Sequence, residues 1–428
     1  PATGVKNSLL QAGEKGKVTI AAGKTVNSLL TDEFYGMTAG NFAGTNGKKA
    51  VAENKGTLNI AGNKSLGMAI DVDDEGINNG TITFTGTNGA GVYNTGTFTA
   101  KSGSSINVNT PGQSSIGAFN SGTLTIDSGA TITGTAKDAT GIYATGGTAT
   151  NNGTISMTAE KAKGLVTDKA GTTTGTITNN SIVSVTGKES VGAAALDGII
   201  NAAAGKISAS GLSGITLYTG GTTGGTINAT GGTIEAANGA INVYADKGTI
   251  KFNGATINTG SGSLAFMKGS NGGIVNFGTS KNAITTVING LGAYADGEGS
   301  TVNMYGTNTT INTGAAGALV AKDKGAVNFG GGTITHKDNL TLAADDKNDH
   351  DNTTPFYATT NGQIKFNGAT TLDMHDGILI TGTNTDYSKT IDNKSKYQGL
   401  NNVTVNIHGH NVTLGSFDGL DLEWDDKT

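Results

Sequence analysis

Residues 117–134 read GAFNSGTLTIDSGATITG, and the reading of this stretch decides the fold. It holds three short alternations of apolar and polar residues: Gly117-Ala118-Phe119-Asn120, Gly122-Thr123-Leu124-Thr125-Ile126 and Ala130-Thr131-Ile132-Thr133. Alternation with period two gives a strand one buried and one wet face. Threonine suits the wet face because its branched Cβ fits a pleated surface. Glycine and asparagine suit the corners between strands, where φ must turn positive. Three strands of this length cannot bury their own apolar faces, so the stretch needs copies of itself above and below.

The copies are there. Gly67-Met68-Ala69-Ile70, Gly91-Val92-Tyr93-Asn94 and Gly141-Ile142-Tyr143-Ala144 repeat the first element, with weaker versions at Gly164, Gly192, Gly214 and Gly239. From Gly67 to Gly239 the glycines are 24, 26, 24, 23, 28, 22 and 25 residues apart. Internal periods of this length mark stacked architectures, in which neighbouring units bury a continuous core. The sequence therefore predicts an all-β chain: a right-handed parallel β-helix with three short strands per coil and about 25 residues per coil. It extends over residues 51–428, with atypical coils or a cap over residues 1–50. A β-sandwich with glycine-rich turns has no reason to keep such a period.

Three stretches break the repeat. Residues 31–50 carry Phe34, Tyr35 and Phe42. Residues 336–356 and 383–400 are polar and charged, and insertions in a solenoid become side loops, where binding concentrates. The candidate partner-binding residues are therefore Asp345, Asp346, Asp349, His350 and Tyr357 at the first loop, and Tyr387, Lys389, Lys394 and Tyr397 at the second.

Composition narrows the function classes. The 428 residues include 70 Gly, and only 35% are hydrophobic, which suits a thin core repeated many times. With no Cys there is no disulfide, thiolate metal site or cysteine nucleophile. A cysteine-free chain also suits export in an unfolded form. All 28 basic residues are Lys and the net charge is −5, which counts against nucleic-acid binding, where bidentate Arg contacts lead. No apolar run is long enough to span a bilayer as a helix.

The Gly-Thr-[Ile/Leu/Phe]-Thr strands and Gly-Ala-x-[Tyr/Phe] copies at this period, without Cys or Arg, resemble the passenger region of large type V autotransporters, most closely the fusobacterial outer-membrane adhesins. The resemblance covers residues 50–428 and speaks to architecture more than to any one protein. It implies export, display on the outer membrane, and attachment to other bacteria or host cells. It carries over no binding residues, and this sequence contains no terminal barrel.

Parallel β-helices also include polysaccharide hydrolases and lyases. Asn384-Thr385-Asp386 is the best fragment of such a site, but His408-Gly409-His410 has the wrong order for it, Asp425-Asp426 lie at the chain end, and the Arg of such sites is absent. Inverting hydrolysis needs two carboxyl groups flanking the sugar. Serine-protease chemistry needs Ser, His and Asp in concert, yet all five His follow residue 335. The acidic clusters at Asp71, Asp73, Asp74 and Glu75 and at 345–351 supply oxygen ligands of the kind hard cations take, but match no calcium-loop pattern and read as solvated loops. Tyr93, Phe119, Tyr143, Tyr218, Tyr244 and Tyr294 recur at coil spacing. They form either an exposed stripe able to stack on sugar rings or, as such ladders more often do, packing within or beside the core. The expectation is a monomeric, non-enzymatic surface adhesin with no cofactor and no metal, whose partner is a surface protein or glycan of another cell. The alternatives are a polysaccharide-active enzyme and a plain stalk.

Overall fold

The computed structural model describes residues 8–28, 32–40, 42, 49–109, 113–259, 267–278, 287–289, 292–313, 317–336, 355–358, 361–374, 380–381, 397–407 and 410–413. Among them the chain is strand and turn, apart from one 3-10 turn at Leu400–Asn402. It divides into two compact units, Pro1–Thr216 with Gly225–Asn228, and Leu217–Gly224 with Ala229–Thr428.

The first unit is a parallel β-solenoid with three faces. Sheet 1 stacks Ser8–Ala12, Tyr35–Ala39, Leu66–Ile70, Ala90–Asn94, Ile116–Asn120, Thr140–Ala144, Lys163–Thr167 and Val191–Ala195 in chain order. Sheet 2 begins with Lys17–Ile20 and sheet 3 with Thr25–Asn27, and each adds one strand per coil in the same way. Within these sheets successive strands pair from coil to coil: Val92 faces Met68 on one side and Ala118 on the other. Residues 8–39 already supply four strands to these sheets. The second unit has its own stacks, among them Ile241–Ala245, Met267–Ser270, Ala293–Asp296, Leu319–Lys322 and Phe356–Ala358 in sheet 1. On its third face the last parallel strand, Val403–Ile407, is covered by the antiparallel His410–Thr413.

Parallel in-register pairing sets identical inward positions on top of one another. Ile82, Ile106, Ile132 and Ile155 form one such column in sheet 3, each fully buried. In the second unit Phe252, Phe277, Met304, Phe329 and Phe366 form another in sheet 2. Each fully buried side chain of this size contributes about 1.5–3 kcal/mol. Large and small residues complement one another down a column. A Cβ at Gly134 would meet Met157 Cε at 2.2 Å, so the methionine fills the space its neighbour leaves.

The repeated glycine of sheet 1 has a steric cause. A Cβ at Gly117 would lie 2.6 Å from the carbonyl oxygen of Gly141 and 2.6 Å from Ile132 Cγ2; one at Gly141 would lie 2.6 Å from the Gly164 carbonyl and 2.7 Å from Ile155 Cγ2. At this inward position sheet 1 lies so close to sheet 3 and to the next coil that a side chain has no room from Gly67 to Gly192, whereas Thr216 and Asn242 fill the position farther on.

Buried asparagines close other corners. Asn94 Nδ2 donates to Asn120 Oδ1 at 2.7 Å and to the carbonyls of Gly96 and Thr123; Asn54–Asn78 and Asn151–Asn179 repeat the pair at 2.8 and 2.7 Å. These amides satisfy turn carbonyls that would otherwise be buried without partners. The corner before most of the first unit's sheet 1 strands departs from the glycine-and-asparagine expectation, which Asn88 alone of this series meets. Lys64, Ser114, Asp138, Lys161 and Glu189 all occupy positive φ there, between 49° and 58°. The reason is a backbone ladder: Ser114 N–H donates to the Lys137 carbonyl at 3.0 Å and Lys161 N–H to the Lys188 carbonyl at 2.8 Å, one coil on. Those bonds hold the left-handed geometry whatever the side chain.

Candidate functional site: the outer face of sheet 1

In the first unit Tyr93, Phe119 and Tyr143 stand in one outward column. Their neighbours Val92, Asn94, Ala118 and Asn120 are fully buried, so strand alternation sends the rings outward. The three rings are half-buried, because they cover one another. Tyr93 and Phe119 stack at 4.8 Å between centroids and 3° between planes, and Phe119 and Tyr143 at 5.9 Å and 23°. Of the two places expected for such packing, within or beside the core, the column takes the second: it stands outside the core with its rings half-buried against one another. Both faces of Phe119 are taken by its neighbours, so this ring has no free face for a sugar.

Two devices flank the column. At one end Phe42 lies 5.7 Å from Tyr35 and 6.4 Å from Tyr93, ring to ring. This brings Phe42, from the irregular stretch, onto the stripe. The acidic cluster at 71–75 anchors it. Asp71 accepts from the N–H of Phe42, Asp74 from that of Ala50 at 2.6 Å, and Glu75 pairs with Lys49 at 2.6 Å. Burial pushes the Asp74 carboxyl above its ordinary value, against the Ala50 hydrogen bond and helped by Asp71 and Asp73. Among the described residues no group of three or more His, Asp or Glu side chains is placed to hold a metal ion.

At the other end a small antiparallel hairpin, Lys169–Ala170 with Thr173–Thr174, leaves the coil. Asp168 at its base accepts from Tyr143 Oη at 3.1 Å, and Lys169 pairs with Asp197 at 3.6 Å. Sequence reasoning missed this hairpin. Its signal was the 28-residue step from Gly164 to Gly192, the longest in that series.

The second unit carries a stripe of different chemistry on its own sheet 1 strands. Tyr244, Lys268 and Tyr294, each half-buried, occupy one outward column, in register with Val320, which is buried. Lys268 Nζ lies 5.0 Å from the Tyr244 ring and 5.2 Å from that of Tyr294; Lys322 lies 5.8 Å from Tyr294 and 5.0 Å from Tyr357. Tyr218 meets Tyr244 edge to face at 5.6 Å. A second column holds Asp246, Ser270, Asp296 and Lys322. Asp246 accepts from Tyr218, Tyr244, Ser270 and Asn271 at 2.6–3.3 Å, and Asp296 accepts from Tyr294 at 3.3 Å. Burial alone would raise Asp246, but the four hydrogen bonds outweigh it and hold the carboxyl below its ordinary value. Burial first, then the neighbouring aspartates, lift Tyr143, Tyr218 and Tyr294 to about 12. A carboxylate so fully engaged holds the face in shape and has little capacity left as a general base.

Of the residues singled out in the loops, Asp345, Asp346, Asp349, His350, Tyr387, Lys389 and Lys394 lie outside the described residues, as do Asp386, His408 and Asp425-Asp426. Tyr357 and Tyr397 stand in strands rather than in loops. Tyr357 belongs to Phe356–Ala358 in sheet 1, opposite Val320, and takes Lys322 on its ring. Tyr397 pairs with Ile364 in the inward column of sheet 2, is 5% exposed, and points its hydroxyl at the Phe356 carbonyl, 3.5 Å away. Its register puts it in the core, which removes it from any contact surface.

The family described as the BigA third pectate lyase-like domain matches residues 8–263, more than half of the chain. Neither a curated protein nor a solved structure matches. The match points to a β-helix domain of a bacterial surface protein, and not to fusobacterial autotransporters in particular.

Proposed function

The chain belongs to the family of the BigA third pectate lyase-like domain, and from that premise we propose that it is a non-enzymatic attachment segment of a bacterial surface protein, built as an autotransporter passenger is. The supporting observation is the outer face of sheet 1. In each unit it presents aromatic rings in register, edged by carboxylates, lysines and tyrosine hydroxyls. Conserved pocket geometry is not needed for such a face to work: it offers an extended, amphipathic strip, and rings of this kind supply contact area at low entropic cost. The partners are surface proteins or glycans of another bacterium or of a host cell.

Binding of the purified chain to bacterial and host cells tests this. Tyr93→Ser with Phe119→Ser, and separately Tyr244→Ser with Tyr294→Ser, should lower cell binding at least tenfold in one unit or the other. Equal binding by both double variants and the parent would refute the role of the face. The family description also raises polysaccharide lysis. The chain is expected to leave polygalacturonate intact, and the appearance of unsaturated sugar ends would replace attachment by catalysis.

A further inference from the structure

The outer face of sheet 2 in the first unit carries a block of threonines. Thr97 and Thr99, Thr123 and Thr125, Thr148 and Thr150, and Thr176 and Thr178 stand in two columns, in register through four successive coils. The residues between them, Phe98, Leu124, Ala149 and Ile177, are buried, so strand alternation turns all eight threonines outward. The block has sharp limits: Glu75 and Ile77 precede it in the two columns, and Ile199 and Asn201 follow.

Strand propensity does not account for this uniformity. Sheet 3 faces outward by the same rule, yet its columns mix residue types: Thr81, Ser105, Thr131 and Thr154 in one, Thr83, Asn107, Thr133 and Ser156 in the other. There the side chains also engage one another. Ser105 Oγ donates to Thr81 Oγ1 at 3.2 Å, and Thr133 Oγ1 to Asn107 Oδ1 at 2.8 Å. Among the described residues, no group of the chain bonds any of the eight threonine hydroxyls on sheet 2. The four strands of the block hold no ionisable side chain, and Lys101 and Asp127, paired at 3.3 Å, lie at its margin.

We propose that this block binds ice. In hexagonal ice each water sits in a tetrahedron of hydrogen bonds. With bonds of about 2.8 Å, second-neighbour oxygens lie about 4.6 Å apart. Coils stack about 4.8 Å apart, so each column offers hydroxyls at nearly that repeat, and the misfit grows to only about 0.6 Å over three coil steps. The two columns are about 6.6 Å apart along the strand, against about 7.5 Å for the perpendicular repeat of the prism face. That looser step is taken once, because the block is two columns wide. The branched Cβ of threonine restricts χ1, so little side-chain freedom is lost when the hydroxyls are fixed against a lattice. A protein or sugar partner is anchored mainly by buried charge or by ring faces, and the block has neither. Eight hydroxyls hold a single chain weakly, but many copies on one cell surface multiply the effect without any new contact. The consequence is attachment of a cell to ice, through a face other than the aromatic stripes.

Partition of the purified chain into slowly growing ice tests this, with serum albumin as a protein that ice excludes. The parent should be enriched in the ice at least fivefold over albumin, and should slow recrystallisation of a frozen film. Thr123→Tyr with Thr148→Tyr lifts the lattice off the hydroxyls and should bring both readings to the albumin level. Thr131→Tyr with Thr154→Tyr, the same change on the outer face of sheet 3, should behave like the parent. Circular dichroism checks that each variant folds, and Thr123→Lys and Thr131→Lys carry the test should a tyrosine pair not fold. Exclusion of the parent from ice, or equal losses from the sheet 2 and sheet 3 changes, would overturn the inference. A chain that binds cells but is excluded from ice sinks this inference alone and leaves the attachment role of sheet 1 standing. A chain that enters ice but binds no cell does the reverse.

Discussion

At the scale of single residues, the informative positions are those whose environment works against their chemistry. Ser114 is exposed and sits at φ 49°, where a side chain costs about 1–2 kcal/mol relative to the right-handed region. The inter-coil bond from its N–H to Lys137 needs no side chain, so Ser114→Gly should keep it, relieve the strain, and raise stability by up to about 1 kcal/mol in chemical denaturation. Asp74 is a second such position. Its buried carboxyl titrates above the ordinary 3.8, so the fold favours the protonated form. The stability it confers is complete below that ordinary value and is lost as pH rises through the elevated native one. Asp74→Asn keeps an acceptor for Ala50 N–H and fixes the neutral state. It should match the parent at low pH and exceed it at neutral pH in thermal melts. Asp74→Ala should instead cost about 1–3 kcal/mol, since it strands a buried N–H. The tyrosines give the alkaline counterpart. Tyr143, Tyr218 and Tyr294, lifted to about 12, donate to aspartates as neutral hydroxyls, and the stability they add is complete below the usual tyrosine range and lost as pH rises through 12. Tyrosinate absorbance should therefore rise in two stages, the later one coinciding with loss of the strand signal in circular dichroism. A single stage near the ordinary tyrosine value would show that these hydroxyls are free.

At the scale of elements, the strands were legible because most are four or five residues and those of sheets 2 and 3 alternate, and the corners were legible wherever geometry forces a residue type. The glycine at the second position of the sheet 1 strands from Leu66–Ile70 to Val191–Ala195 is the clearest case. No side chain fits between the next coil's carbonyl and the sheet 3 isoleucine, so the glycine recurs and the period can be read. Gly141→Ala should cost about 1–3 kcal/mol by overpacking, because one of the two obstructing atoms is backbone and cannot swing aside. The lysines, serines and glutamates at positive φ were not legible. There an inter-coil backbone ladder sets the conformation, and a backbone bond leaves no mark on residue identity. The outward aromatic column was half legible: its spacing was plain, but a ring stacked on rings is as repetitive outside the core as inside. Only the alternation of Val92, Tyr93 and Asn94 against their buried neighbours decides the side. Tyr397 failed for the complementary reason. It lies in a polar stretch that looked like loop throughout, yet one two-residue strand is enough to bring it onto Ile364 and into the core. The hairpin after Asp168 was hidden because its eight or so residues look like any turn, and only the lengthened period betrays them.

At the scale of the whole molecule, a stack of coils distributes stability differently from a globular core. In the first unit each coil's strands pair with those of the two adjacent coils, so the stability of a coil is its own term plus two interfaces. A defect should then act locally. Gly141→Ala strains the coil containing Thr140–Ala144 and its contact with Lys163–Thr167. Amide hydrogen exchange should show lost protection in those strands and in Ile116–Asn120, falling away by Leu66–Ile70, although every one of these strands belongs to the same sheet. Uniform loss of protection across the unit would mean that it opens as a single cooperative body and that nearest-neighbour accounting fails. The local outcome has a consequence for attachment. The two stripes differ in chemistry, stacked rings in one unit and alternating rings and lysines in the other, and each is held by its own rungs. Substitutions that loosen the coils under Tyr93 and Phe119 should therefore leave amide protection in the strands of Tyr244, Lys268 and Tyr294 intact, and Lys268→Glu should alter no exchange in the first unit. Finding both halves of that separation would show that each stripe is held by its own coils, because stability is assembled rung by rung.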